Sequence, residues 1–166
     1  MYSDQHYYYV PYYNDFNRTA PDTHLLNAIH KAINGEYSAI VCYEKLAKMA
    51  PTQDERNQIL EIQKDEKRHL AEFSRIYTNL TGRQPSYQIN EGCPNNYRAG
   101  IEFAFKDEQE TVDFYLDISD KAQDLTIKER FRRAASDEQN HAVWFLFFIQ
   151  NNSKVTYTQR QIDDWY

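Results

Sequence analysis

Glu66-Lys67-Arg68-His69 and Glu138-Gln139-Asn140-His141 spell the same word, Glu-x-x-His, 72 residues apart. Glu36 and Glu108 stand 72 apart as well, each 30 residues ahead of its own Glu-x-x-His. With five His in 166 residues, one such word arises by chance roughly 0.4 times, so a single copy would carry little weight. Here Tyr43 and Tyr115, Asp65 and Asp137, and Phe73 and Phe145 keep the offset too. The chain therefore reads as an internal duplication that carries four carboxylates and two imidazoles, the ligand set of a dinuclear metal site.

Working outward from these words, the apolar residues advance in steps of three and four. Leu26, Ile29, Ile33, Glu36, Ile40, Tyr43, Ala47 and Ala50 form one stripe, and Ile59, Ile62, Glu66, His69, Phe73, Ile76 and Leu80 a second. Ile101, Ala104, Glu108, Thr111, Tyr115, Ile118 and Ala122 form a third, and Ile127, Phe131, Ala134, Glu138, His141, Phe145 and Phe148 a fourth. The pattern predicts helices over Asp22–Ala50, Thr52–Leu80, Asn96–Ala122 and Leu125–Gln150. Pro51 ends the first, and Thr52 or Asp54 caps the second. Gly82, Pro85, Gly92 and Pro94 make Thr81–Asn95 a long non-helical crossover. Short links pair helices one with two and three with four. The predicted fold is an all-α antiparallel four-helix bundle over residues 21–151. Residues 1–20 form a tyrosine-rich tail, with Tyr2, Tyr7, Tyr8, Tyr9, Tyr12 and Tyr13, and residues 152–166 form a C-terminal tail.

All six candidate ligands, Glu36, Glu66, His69, Glu108, Glu138 and His141, sit on core-facing stripes, with apolar residues above and below them. Helices of roughly 27 residues run about 40 Å, and the six lie near mid-length, so antiparallel packing brings them to one level. Buried carboxylates repel one another and need a cation among them. Pairing of the carboxylates with His, or with Arg68, Arg132 or Arg133, is the alternative to metal, but these Arg residues do not share the stripes, and metal is the favoured reading. Glu44, Glu61, Glu72 and Glu110 also lie off the stripes and read as outer-face charges.

This pattern resembles the ferritin-like di-iron or di-manganese carboxylate proteins, in which one Glu from each of two helices joins a Glu-x-x-His from each of the other two. The resemblance covers about Asp22 to Gln150. Gly35-Glu36 with Ala39 and Tyr43 is similar to the first helix of rubrerythrins and bacterioferritins, and Asp65-Glu66-Lys67-Arg68-His69 to the D-E-x-R-H word of the wider group. The resemblance implies that Glu66 and Glu138 bridge two metals, and that Glu36 with His69 and Glu108 with His141 complete the separate spheres. It also implies that Asp65 and Asp137 hold the imidazoles. Tyr43 and Tyr115, two turns beyond Glu36 and Glu108, are expected to donate to a bridging carboxylate, to relay one electron, or simply to pack. Three departures stand out. Phe105 occupies the position of an additional rubrerythrin glutamate, and two cysteines are too few for a rubredoxin-type domain that would supply electrons in cis. Asn140 replaces the Arg of the second word.

Carboxylate-rich ligation suits two iron ions first and manganese second, rather than structural zinc. The expected function is a dinuclear oxidoreductase that oxidises bound Fe(II) with O2 or reduces peroxide, with H2O2 or O2 as partner and a separate electron donor protein. An iron-storage or detoxification subunit is one alternative. Another is a structural or assembly protein, coat- or shell-associated, that keeps the metal for stability. A formal charge of −6 weighs against nucleic acid and anionic membranes as partners. With no signal peptide and no spanning segment in view, a cytoplasmic homo-oligomer is expected. Cys42 and Cys93 form no C-x-x-C pair and no multi-cysteine framework, so neither a zinc knuckle nor a disulfide scaffold is indicated, and Cys42 reads as a packed thiol. His6, His24 and His30 read as incidental.

Overall fold

The computed structural model describes residues 22–90 and 92–163, the last of these, 153–163, by backbone alone. The expectation of a tyrosine-rich tail lies outside the described residues. Helix α1 spans Thr23–Met49, α2 Gln53–Thr81, α3 Tyr97–Lys121 and α4 Leu125–Asp163, and no strand occurs among the described residues. The protein is an all-α four-helix bundle.

Each helix starts where a short polar side chain takes up free backbone N–H groups. Asp22 caps α1 through His24 N, Thr52 caps α2 through Glu55 N, and Asn96 caps α3 through Ala99 N. Asp124 accepts from Thr126 N and Ile127 N ahead of α4. At the end of α2, Gly82 adopts φ 71°, a left-handed conformation open to glycine, and its N–H closes on Thr78 O. Helix α4 runs past the expected end at Gln150 because no Gly or Pro interrupts it before Asp163.

The hairpins α1–α2 and α3–α4 pack face to face around two apolar clusters. One contains Ile29, Ile33, Phe73, Tyr115, Ile118 and Phe131, with Phe73 stacked on Phe131 at 4.1 Å. The other contains Tyr43, Leu46, Ile59, Ile62, Ile101 and Phe145. Gly100 lets α3 approach α1 closely, since a Cβ there would stand 2.2 Å from Leu46 Cδ2. The six candidate ligands occupy the layer between the two clusters.

The crossover lies along α1 as an extended strap. His30 Nε2 meets Ser86 O at 3.1 Å, Gln88 N donates to Asn34 Oδ1 at 3.0 Å, and Asn90 N donates to Ser38 Oγ at 3.1 Å. Lys45 Nζ then donates to Cys93 O at 2.9 Å and to Asn95 Oδ1 at 2.5 Å. The spacing has a simple origin. Four helical residues rise about 6 Å and two extended residues advance about 6.6 Å, so every second strap residue meets the next turn of α1. Contrary to the expectation of a packed Cys42 thiol, Cys42 and Cys93 form a disulfide, with Cα atoms 5.1 Å apart. The strap brings residues 51 apart in sequence into register, which no cysteine motif could announce.

Candidate metal centre

Helices α1 and α3 each present one carboxylate, and α2 and α4 each present a carboxylate and an imidazole one turn apart. All six side chains are nearly inaccessible, from 1% exposed at Glu66 to 3% at Glu36 and Glu108. Their ligand atoms fall into two tetrads, Glu36, Glu66, His69, Glu138 and Glu66, Glu108, Glu138, His141, each with atoms within 4.8 Å of one another. Glu66 and Glu138 belong to both. The outer-face expectation holds for Glu44, Glu61 and Glu110, which are exposed, while Glu72 is half-buried.

Both imidazoles turn Nδ1 into the cluster. His69 Nδ1 lies 3.0 Å from Glu138 Oε1 and 3.3 Å from Glu66 Oε2, and His141 Nδ1 lies 3.0 Å from Glu66 Oε1 and 3.1 Å from Glu138 Oε2. Their Nε2 atoms face outward onto carboxylates of the opposite hairpin. His69 Nε2 is 3.3 Å from Asp137 Oδ2, and His141 Nε2 is 3.5 Å from Asp65 Oδ2. An Nε2–H that donates to these aspartates leaves the Nδ1 lone pair aimed inward. Arg68 ties the two aspartates together, at 3.0 Å from Asp65 and 2.8 Å from Asp137, and Arg133 adds a second contact to Asp137 at 3.1 Å.

The tyrosines donate across the dyad: Tyr43 Oη to Glu108 Oε1 and Tyr115 Oη to Glu36 Oε1, both at 2.5 Å. Their partners are thus the one-tetrad carboxylates rather than Glu66 or Glu138, the pair expected to bridge. The antiparallel pairing of α1 with α3 decides this, because it sets Tyr43 level with Glu108. Burial and the facing glutamate push both phenols well above their usual range, so they remain neutral donors.

Without a cation the cluster is electrostatically costly. Burial, then repulsion from Glu66, pushes Glu36 well above the usual carboxylate range, and burial with the same neighbour does so for Glu138. Burial also opposes charge on Glu66, but the facing imidazoles, His141 before His69, outweigh it and hold that carboxyl at about 2. Burial opposes charge on His69 as well, yet Glu66 and Glu36 raise it to about 9. Four buried atoms, Glu66 Oε1 and Oε2, His69 Nδ1 and Glu138 Oε1, have no aligned hydrogen-bond partner despite their close approach to one another. Orphaned buried polar atoms on converging acidic and imidazole groups are what cations would satisfy. The donor set fits a dinuclear metal site.

A cavity of about 150 Å³ between α1 and α3 reaches this cluster. Glu36, Glu66, Glu108, Glu138 and both tyrosines line it, and exposed Lys31, Gly35 and Glu110 mark its opening at the surface. The cavity was not anticipated, and Gly35, whose missing side chain leaves open space, was its one available signal. His30 was read as incidental and instead anchors the strap.

A four-helix bundle with one long crossover and a carboxylate layer at mid-height is the ferritin-like fold. Two solved structures share it: a hypothetical protein from Pyrococcus furiosus (TM-score 0.68, 20% identity, 76% of this chain and 88% of that one), and one from Bacillus anthracis str. Ames (TM-score 0.66, 22% identity, 76% and 95%). The second is described as belonging to ferritin like, diiron-carboxylate proteins. No family model matches the sequence. The uncharacterized protein YhjR of Bacillus subtilis (strain 168) is 50% identical over 144 residues, which span 87% of this chain and 97% of that protein, and the chain belongs to the YhjR family. Among the described residues no helix is long and apolar enough to cross a membrane.

Proposed function

We propose that the chain is a di-iron oxidoreductase that oxidises bound Fe(II) with O2 or reduces peroxide. The observation that carries this reading is the pair of buried tetrads sharing Glu66 and Glu138. In this reading Glu66 and Glu138 would serve both ions, Glu36 with His69 would hold one iron, and Glu108 with His141 would hold the other. Four carboxylates balance two divalent cations in formal charge, and an oxygen-rich donor set with two imidazoles suits iron, with manganese second. Two iron ions bound there would supply electrons in pairs, as reduction of peroxide to water requires.

The protein's own groups then have separable duties. Asp65 and Asp137 fix the imidazole tautomer through Nε2–H. Tyr43 and Tyr115 pin one oxygen of Glu108 and Glu36 and so hold each carboxylate in place beside the cluster, and each hydroxyl carries a proton at the cavity wall. A cavity of about 150 Å³ admits O2, peroxide or a few waters and turns away bulky substrates. The test is metal analysis of the purified protein together with its absorption spectrum after anaerobic ferrous loading and exposure to air. Two irons per chain, with a new absorption band on oxidation, is the expected result. Failure to bind Fe(II), or a spectrum unchanged by air and by peroxide, would overturn the reading.

A further inference from the structure

We propose that Cys42 and Cys93 are the chain's own two-electron store for this site, cycling between dithiol and disulfide as peroxide is reduced. The inference rests on the oxidoreductase reading above. Four observations place the pair. Cys42 is buried and lines the same cavity as Glu36, Glu66, Glu108 and Glu138. Its neighbour Tyr43 donates to Glu108, so one peptide unit and one hydrogen bond separate the cysteine from the cluster. Cys93 is only half-buried and sits on the strap, where a reductant in solution can reach it. One cysteine thus lines the cavity and the other lies on the half-buried strap, as a relay between cavity and solvent requires.

The fourth observation concerns the strap itself. His30, Asn34, Ser38 and Lys45 hold it to α1 on both sides of the cysteines through contacts that do not depend on the sulfur bond. Opening the disulfide therefore leaves the two thiols side by side, ready to close again. In a reducing compartment such a pair rests as the dithiol, and its disulfide is a transient, working state.

The step balances without a further reactant. The two S–H bonds and the O–O bond of H2O2 break, one S–S bond forms, and the two protons leave with the oxygens as two waters. The thiols lose two electrons and peroxide gains two. An external thiol then restores the dithiol by attack on the accessible Cys93 sulfur, through a mixed disulfide.

The test uses the full chain, reduced with a phosphine, loaded anaerobically with Fe(II) or left metal-free, and given two equivalents of H2O2. Peroxide, free thiols and intact mass are followed in parallel. In the iron-loaded protein, free thiols should fall from two per chain to none, at the rate of peroxide loss and with loss of two hydrogens in mass; metal-free protein should keep its thiols over that interval. Cys93→Ser should lose repeated turnover with an added thiol reductant. If iron-loaded protein consumes peroxide while both thiols survive, the disulfide is structural and this inference falls while the oxidoreductase reading stands. Thiol loss at the same rate with and without iron overturns it too. Should iron fail to accelerate peroxide loss at all, this inference falls together with the peroxide half of the oxidoreductase reading, while oxidation by O2 is decided by the spectrum in air.

Discussion

Hairpin α1–α2 and hairpin α3–α4 offer Glu, Glu and His at matching positions 72 residues apart, yet among the described residues only the first wears a strap. The strap anchors on α1 are His30, Asn34, Ser38 and Cys42, and their mates at the same offset on α3 are Glu102, Lys106, Glu110 and Phe114. None of these mates can repeat the short polar contacts or the disulfide. The inward faces have kept their duplicate chemistry because each ligand has a mate that depends on it. The outward faces answer to no such constraint and have diverged into a covered side and an acidic, open one. The aspartates diverge in the same way, since Arg68 reaches both of them while its mate, Asn140, is exposed.

The largest effect should come from testing whether the halves share ligands. Glu138→Ala or Glu66→Ala removes a member of both tetrads, and paired-metal reactivity should vanish, whereas Glu36→Ala or Glu108→Ala should keep at least one metal and oxidise more slowly. Metal stoichiometry with stopped-flow oxidation decides this; equal loss of both metals in Glu36→Ala would show that Glu66 and Glu138 do not bridge. Next in size are the aspartates. Asp137→Asn and Asp65→Asn should each weaken metal affinity or activity by about 10- to 100-fold. Asp137 should matter more, because it stands nearer its imidazole, at 3.3 Å against 3.5 Å, and is held by both Arg68 and Arg133. Equal losses would show that the arginines contribute nothing to the asymmetry.

A pair of glycines separates packing from access. Gly100→Ala pushes a methyl onto Leu46 and should cost about 1–3 kcal/mol in chemical denaturation. Gly35→Leu enters open space at the mouth of the cavity, so it should leave the melting temperature nearly unchanged while slowing peroxide consumption. Unaltered peroxide kinetics in Gly35→Leu would mean that small molecules approach by another route.

The smallest effect is a pH trend in metal-free protein. His69 is held at about 9 against 6.5 for a free imidazole, so its stabilisation is complete below pH 6.5 and disappears as pH rises through about 9. The raised Glu36 and Glu138 act in the same direction, because the folded state keeps protons that the unfolded state gives up above 4.5. Glu66, held at about 2, contributes above 4.5 and is lost only in strong acid, outside this window. The melting temperature of metal-free protein should therefore fall from pH 6.5 to 9. Metal binding, which takes deprotonated ligands, should tighten over the same range and release protons into a weak buffer. A melting temperature that rises with pH in metal-free protein would contradict these assignments.

The helices and the converging ligands were legible because two periodicities coincide in this chain. A step of three and four marks the buried face, and an offset of 72 marks which polar residues on that face belong together. What stayed hidden depended on register between elements. The hydroxyl of Tyr43 lies on a readable stripe, but its acceptor is fixed only when α3 slides into place beside α1. The same holds for Asp65, which supports His141 across the bundle rather than His69 on its own helix. The disulfide escaped because two isolated cysteines carry no spacing signal until the strap aligns them. The length of α4 escaped because the absence of a helix breaker does not mark where a helix stops.

The crossed hydrogen bonds have one more consequence. Tyr43 steadies Glu108, Tyr115 steadies Glu36, Asp65 steadies His141 and Asp137 steadies His69, so every support belongs to the hairpin that lacks the ligand it serves. Each tetrad likewise draws from both hairpins. A chain cut within the crossover, with the Cys42–Cys93 bond reduced, would yield two fragments that behave like halves of a split reporter, neither holding a complete tetrad by itself. Added iron would then act as the glue that reports their reunion, and a single ancestral hairpin could have worked only by embracing its twin.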